Sequence, residues 1–278
     1  MLIGFTSHGD RGSGLSTTVV CLALALSYHF GYQVLVCDFQ EIGNETPTGA
    51  LNSYRRILTG EMLSSETDNW NYDYLLRMAS HGMLSKDNFK NFTTSIGLSG
   101  ILDLTTWGES AFIPSFMEPD THELIERSYK LVMQLAKSVY DFVIVDFGAL
   151  SEDKTRIFSE LQPTKWIVHA RQDVQGCDIN KITAKQRYDD EHIGFTVGRA
   201  VKGTRGGISQ IKSQYKSRWL GCLSTTHEVP NSISDGGLER YFRRSVNGKG
   251  KSQNEGIVKE SIEIANALIS STNCSIRR

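Results

Sequence analysis

Proline is scarce in this sequence, five in 278 residues, and tryptophan scarcer still at four. So little proline excludes collagen-like and mucin-like chains. Hydrophobic residues at 39% and charged residues at 22% exclude a wholly disordered one. No stretch approaches the roughly 18 consecutive apolar residues that a membrane-spanning helix needs. The longest apolar run, Val19 to Leu26, comes too late and has the wrong flanks for a signal peptide. The five cysteines, at positions 21, 37, 177, 222 and 274, form no C-x-x-C pair. Their odd number and irregular spacing argue against a disulfide framework or a zinc site, so a reduced, cytoplasmic protein is expected. The seven histidines show neither H-x-x-x-H nor HExxH spacing, so no catalytic metal is expected. No G-x-S-x-G elbow supports Ser/His/Asp hydrolysis.

Charge of one sign is missing overall, since the net charge is −1, but the two ends of the chain differ. Residues 199–278 hold 14 basic and 6 acidic side chains, against 16 and 25 in residues 1–198. The basic stretch Arg199, Lys202, Arg205, Lys212, Lys216 and Arg218 contains no acid, and Tyr215 and Trp219 are interleaved with it. With Arg240, Arg243 and Arg244 it is a candidate surface for an anionic partner such as nucleic acid, or a solvated helix and loop. The final helix ends in a polar tail, Asn273 to Arg278, which lacks the two-faced character of a membrane anchor.

The first forty residues carry the clearest pattern. Leu2 to Thr6 reads as a buried strand, Ser7 to Gly14 as a small-residue loop, and Leu15 to Phe30 as a helix closed by Gly31. Gln33 to Asp38 is a second strand ending in an acid. Strand, glycine-rich loop, helix and strand make a βαβ unit with a right-handed crossover and a parallel sheet. Further strands are expected at Gly100–Leu104, Tyr140–Asp146, Lys165–Ala170, Phe195–Gly198 and Trp219–Leu223. Helices are expected at about Asp73–His81, Lys86–Phe92, His122–Lys137 and Glu255–Ser270. This alternation predicts an α/β fold with a doubly wound, mainly parallel sheet. At about 150 residues per domain the length suits one large domain or two small ones. No linker divides the chain, so 1–278 is read as a single domain with a variable region at 40–120. The polar stretch 247–254 is read as a mobile loop.

Gly9-Asp10-Arg11-Gly12-Ser13-Gly14-Leu15-Ser16 matches G-x-x-x-x-G-K-[ST] at every fixed position except the lysine, which is Leu15. Such a loop wraps phosphates with backbone N–H groups at a helix N-terminus, while the hydroxyl, here Ser16, holds Mg²⁺. Gly9 to Thr17 are therefore the candidate nucleotide-binding residues, in a P-loop NTPase-like fold. Leu15 donates nothing, and each lost charge-assisted hydrogen bond is worth about 1.5–3 kcal/mol.

On these residues the chain resembles the MinD/ParA group of P-loop proteins, whose loop reads K-G-G-x-G-K-[ST]. The resemblance extends to Gln33–Gln40, where the group has a strand ending in D-x-D, and to YDFVIVD at 140–146. It is fainter at Leu220–Tyr241, and Tyr72–Leu104 faintly resembles the TadZ/CpaE pilus-localisation branch. About half of the chain is covered. The departures fall on the chemistry. Asp10 stands where the group has the lysine that reaches a partner's nucleotide, Leu15 replaces the second lysine, and Gln40 the second acid of D-x-D. Phe147 to Leu150 departs from T-P-P-G. Asp38, Gln40 and Asp146 are then vestigial catalytic positions, and Arg11 is a substitute cation. The resemblance implies a degenerate member that scaffolds or localises a larger envelope machine, a pilus or secretion apparatus, with protein partners and a homodimer as its associations. ATP or ADP with Mg²⁺ is the implied cofactor, and contact with the inner face of the membrane would come through a partner. The alternatives are an active ATPase that cycles between monomer and dimer to position DNA or protein cargo, and a nucleic-acid-binding adaptor that ignores nucleotide.

Overall fold

The computed structural model describes residues 1–7, 14–39, 54, 57–60, 72–97, 100–106, 119–149, 161–170, 172, 192–201, 208–224, 228–247 and 256–272. Eight strands form one sheet. They are β1 (Leu2–Ser7), β2 (Val34–Asp38), β3 (Thr94–Ile96), β4 (Leu102–Thr106), β5 (Phe142–Ala149), β6 (Lys165–Ala170), β7 (Ile193–Ala200) and β8 (Trp219–Ser224). Their order across the sheet is β3-β4-β2-β5-β1-β6-β7-β8, and every neighbouring pair is parallel except β3 with β4.

The strands are near-continuous apolar runs because helices cover both faces. Side chains alternate between the two layers: Leu35 and Val143 enter one core, while Val34, Val36, Phe142 and Ile144 enter the other. Helices α2 (Tyr72–Ser80), α3 (Pro119–Val139) and α4 (Ile208–Tyr215) supply the first layer. The second is supplied by α1 (Leu15–Leu24), α6 (Gly237–Asn247) and α7 (Gly256–Ser271), with Tyr54 and Leu58. The short helix α5 (Glu228–Ser234) precedes α6.

The predicted first βαβ unit is present, with two refinements. The helix expected at Leu15–Phe30 is α-helical only to Leu24, and Ala25–His29 widen into a π turn. Gly31 ends it as expected, at φ +75° with its N–H on the Ser27 carbonyl at 3.0 Å. The helix expected at Lys86–Phe92 is only a tight 3₁₀ turn at Phe89–Phe92. Asn88 explains the difference. Its side-chain oxygen accepts the Ser85 N–H at 2.8 Å and its amide donates to the Met83 carbonyl at 2.9 Å, a local alternative to helical bonding. The edge strand β3 is absent from the expected elements, because Thr94-Ser95-Ile96 is too short and too polar to stand out. Its place is fixed by Asp103 on β4, which accepts from the Ser95 hydroxyl at 2.6 Å and the Tyr140 hydroxyl at 2.5 Å. The loop expected at 247–254 lies outside the described residues beyond Asn247, as does most of the variable region from 40 to 71.

Candidate nucleotide site

The strand order places β1 at the centre, with the chain running from β1 to one side of the sheet and returning through β5 before it continues to the other. In such sheets ligands bind at the carboxyl ends of the strands where the winding reverses. Four expected site residues meet there. Gly14 opens α1 at φ +86° and, as the N-cap residue, has no side chain with which to cap the first turn. Ser16 lies in that first turn. Asp38 ends β2 and pairs in register with Asp146 on β5. The Ser16 hydroxyl donates to Asp146 Oδ2 at 3.4 Å. Thr17 follows in the first turn of α1, whereas Leu15 is buried in the apolar layer. Gly9, Asp10, Arg11, Gly12, Ser13 and Gln40 lie outside the described residues.

Asp146 is held from three directions. Its Oδ1 accepts the Gly148 N–H at 2.8 Å, and its Oδ2 accepts the hydroxyls of Ser16 and Tyr54. Tyr54 is a site residue that sequence reasoning misses. It falls in a stretch without periodicity, and only the fold brings it 92 positions along the chain to Asp146. Its ring is wholly buried. Burial first, then the charges of Asp146 and Asp38, push the Tyr54 phenol well above its ordinary range, so it stays a protonated donor.

Hydroxyl and carboxylate oxygens are the donors that Mg²⁺ prefers. Here, however, the Tyr54 hydroxyl lies on the same Asp146 oxygen that Ser16 reaches, with its proton directed at the carboxylate. A divalent cation between Ser16 and Asp146 does not fit this arrangement.

A second unexpected contact comes from β7. Arg199 has φ +51°, a left-handed conformation uncommon outside glycine, at a point where the register with β8 shifts between Val197 and Ala200. Its side chain lies against Gly14. A Cβ added to Gly14 would meet Arg199 Cγ at 3.3 Å and Nε at 3.8 Å. Gly14 is thus favoured by its own φ, and a side chain there would also press on Arg199.

The other described basic residues lie over two faces of the sheet. Lys212, on α4, belongs to an element packed on one face of the sheet through Ile211 and Tyr215. Arg240, Arg243 and Arg244 are on α6, which packs on the opposite face through Leu238 and Phe242. Lys216 and Arg218 follow α4, and Arg243 is paired with Glu239 at 3.5 Å. Tyr215 is spent on packing, its ring 4.4 Å from that of Phe195. Lys202 and Arg205 lie outside the described residues. Among the described residues no helix is long and apolar enough to cross a membrane.

No protein-family profile and no curated protein sequence matches the chain. Solved structures do. A ParA family ATPase from Chlorobium tepidum TLS superposes with a TM-score of 0.64 at 19% identity, over 95% of this chain and 98% of that one. The fold is that of the ParA and MinD ATPases. The septum site-determining protein MinD from Pyrococcus horikoshii OT3, complexed with Mg-ADP, superposes at 0.62 with 14% identity over 99% of each chain. A plasmid partition protein from Borrelia burgdorferi B31 bound to AMPPNP superposes at 0.61 with 19% identity, over 97% of this chain and 98% of that one. The ParA/MinD fold therefore runs the length of the chain, although so few residues are shared.

Proposed function

We propose that this chain is a nucleotide-binding scaffold on the ParA/MinD fold, with little or no hydrolysis, that positions a protein assembly. The reading rests above all on one observation: Gly14, Ser16, Asp38 and Asp146 converge at the carboxyl ends of the central strands beside the N-terminus of α1. The similar structures include proteins complexed with Mg-ADP or bound to AMPPNP, so the ligand class is a nucleoside di- or triphosphate.

Feeble turnover follows from what the site lacks. Leu15 is buried where the phosphate-binding lysine would stand, and Asp10 and Gln40 remove a second cation and a second carboxylate. A loop without those groups still binds through backbone N–H groups but stabilises little charge as a phosphoryl group transfers. A bound nucleotide that is not hydrolysed can still select one conformation or one dimer. Partner binding is the natural output. One structure with this fold is a MinC:MinD cell division protein complex from Aquifex aeolicus. A homodimer, a pilus or secretion assembly as the machine served, and recruitment to the membrane through a partner belong to this same reading.

The test is calorimetry of the full chain with ADP and ATP, alongside a phosphate-release assay. Measurable binding with phosphate release at background, unchanged by Ser16→Ala, is expected. Release well above background that Ser16→Ala abolishes would instead establish a working ATPase that cycles to position cargo.

A further inference from the structure

We infer that this site takes its nucleotide phosphates without a divalent cation: Tyr54 closes the cation position, and Arg199 supplies a cation in place of the lysine that Leu15 replaces. The inference rests on the nucleotide-binding reading above. It is carried by two residues that no part of the phosphate-loop pattern contains.

Tyr54 is the first. A cation shared by the loop hydroxyl and the acid of β5 would need the space between Ser16 and Asp146. The Tyr54 hydroxyl already donates to the Asp146 oxygen on which Ser16 converges, and its ring is completely buried against the α1 layer. Asp146 Oδ1 is taken by the Gly148 N–H. A protein donor thus meets the carboxylate from the side where a hydrated cation would stand. Cation entry requires that Tyr54 leave, with its buried ring re-exposed to water.

Arg199 is the second. Arg199 is left-handed where the register of β7 with β8 shifts, and its side chain lies against Gly14, the residue that opens α1. Bulges re-aim side chains in this way, and backbone strain at an arginine calls for a reason. The arm lies against Gly14, the neighbour of Leu15, where the phosphate-loop pattern has its lysine. Guanidinium is the side chain best shaped for phosphate oxygens. The sequence places Arg199 in a basic stretch, which suggests an extended polyanion surface. Its packing on Gly14 assigns it instead to the phosphate site.

The experiment is calorimetric titration of the full chain with ADP, once in EDTA and once in excess Mg²⁺. Wild-type affinity is expected to agree within about two-fold between the two conditions. Arg199→Ala is expected to weaken ADP at least ten-fold in both, and Arg199→Lys to recover part of the loss. Tyr54→Ala opens the cation position, so Mg²⁺ is then expected to tighten ADP at least five-fold. Tyr54→Phe serves as a second variant should Tyr54→Ala fail to fold, with the same direction and a smaller effect. Wild-type binding that appears only with Mg²⁺, or tightens more than ten-fold with it, overturns the inference and leaves the nucleotide-binding reading standing. Arg199→Ala with unchanged affinity overturns the role given to Arg199. No binding of ADP or ATP in either condition overturns the nucleotide-binding reading itself.

Discussion

Asp38 and Asp146 stand directly opposite each other on neighbouring strands, and both are buried. Two carboxylates so placed repel each other in a medium poor in water, so donors must compensate them. For Asp146 those donors include the Gly148 N–H and the hydroxyls of Ser16 and Tyr54. Removing the Tyr54 hydroxyl while keeping its ring should therefore cost more than an ordinary hydrogen bond. Tyr54→Phe is expected to lower stability by about 1.5–3 kcal/mol, the range for bonds to charged acceptors. Chemical denaturation followed by far-UV circular dichroism measures it. A loss under about 0.5 kcal/mol, the size of a neutral surface change, would show that the hydroxyl does not rest on Asp146 in solution.

Gly237 tests how the segment that carries Tyr54 is seated. It begins α6 at φ +89°, and a Cβ there would collide with the Leu58 carbonyl. From the other side, a Cβ on Gly60 would lie 2.6 Å from the Ile233 carbonyl oxygen. Two backbones touch here through glycines. Gly237→Ala should combine left-handed strain with that collision and cost about 2–4 kcal/mol. Gly82→Ala is the control. Its φ is +66° but nothing lies within 4 Å of the added carbon, so it should cost only about 1 kcal/mol. Equal losses in thermal unfolding would mean that residues 57–60 do not pack on α6.

Lys165 offers a pH-dependent test. It starts β6, is 4% exposed, and has no ion-pair or hydrogen-bond partner among the described residues. Burial pushes its amine below the ordinary 10.5. A base whose folded value is lowered is destabilising while it is charged in both states. The penalty fades as pH rises through the folded value toward 10.5, because there the unfolded chain binds more protons than the folded one. Lys165→Met should therefore stabilise the protein at pH 7 and do so clearly less near pH 10. Denaturant midpoints of both proteins at the two pH values measure this. A gain that grows with pH would contradict the sign.

Much of the fold is legible in the sequence because its signals are local. Leu2–Thr6, Gln33–Asp38 and Tyr140–Asp146 are short apolar runs bounded by breakers, and each is a strand of the sheet. Gly14, Ser16, Asp38 and Asp146 are legible for the same reason: each sits at a fixed offset from such a run. Tyr54 and Arg199 are not, because their roles depend on contacts 92 and 185 positions away along the chain. Arg199 also reads as part of a charge run, and no pattern in a sequence announces a left-handed arginine.

The basic C-terminal third carries the last prediction. Arg240 and Arg244 are exposed on α6, over one face of the sheet, while Lys212 and Lys216 are exposed on and just after α4, over the other. A DNA duplex is a stiff rod that lies along one face of a domain this size. Any duplex binding should therefore draw on one pair of charges and ignore the other. Removing the cation that meets one phosphate should reduce the slope of log affinity against log salt by about 0.9. Replacing the engaged pair by alanine should then flatten the slope by about 1.8, twice the single-phosphate value, and replacing the other pair should leave it unchanged. Fluorescence anisotropy with a labelled duplex across a salt series reads both. Equal flattening by the two pairs would mean that two copies of the chain, presenting opposite faces, grip the duplex together. No binding even at low salt would remove nucleic acid from the partners of this chain and leave the charges as solvated helix faces.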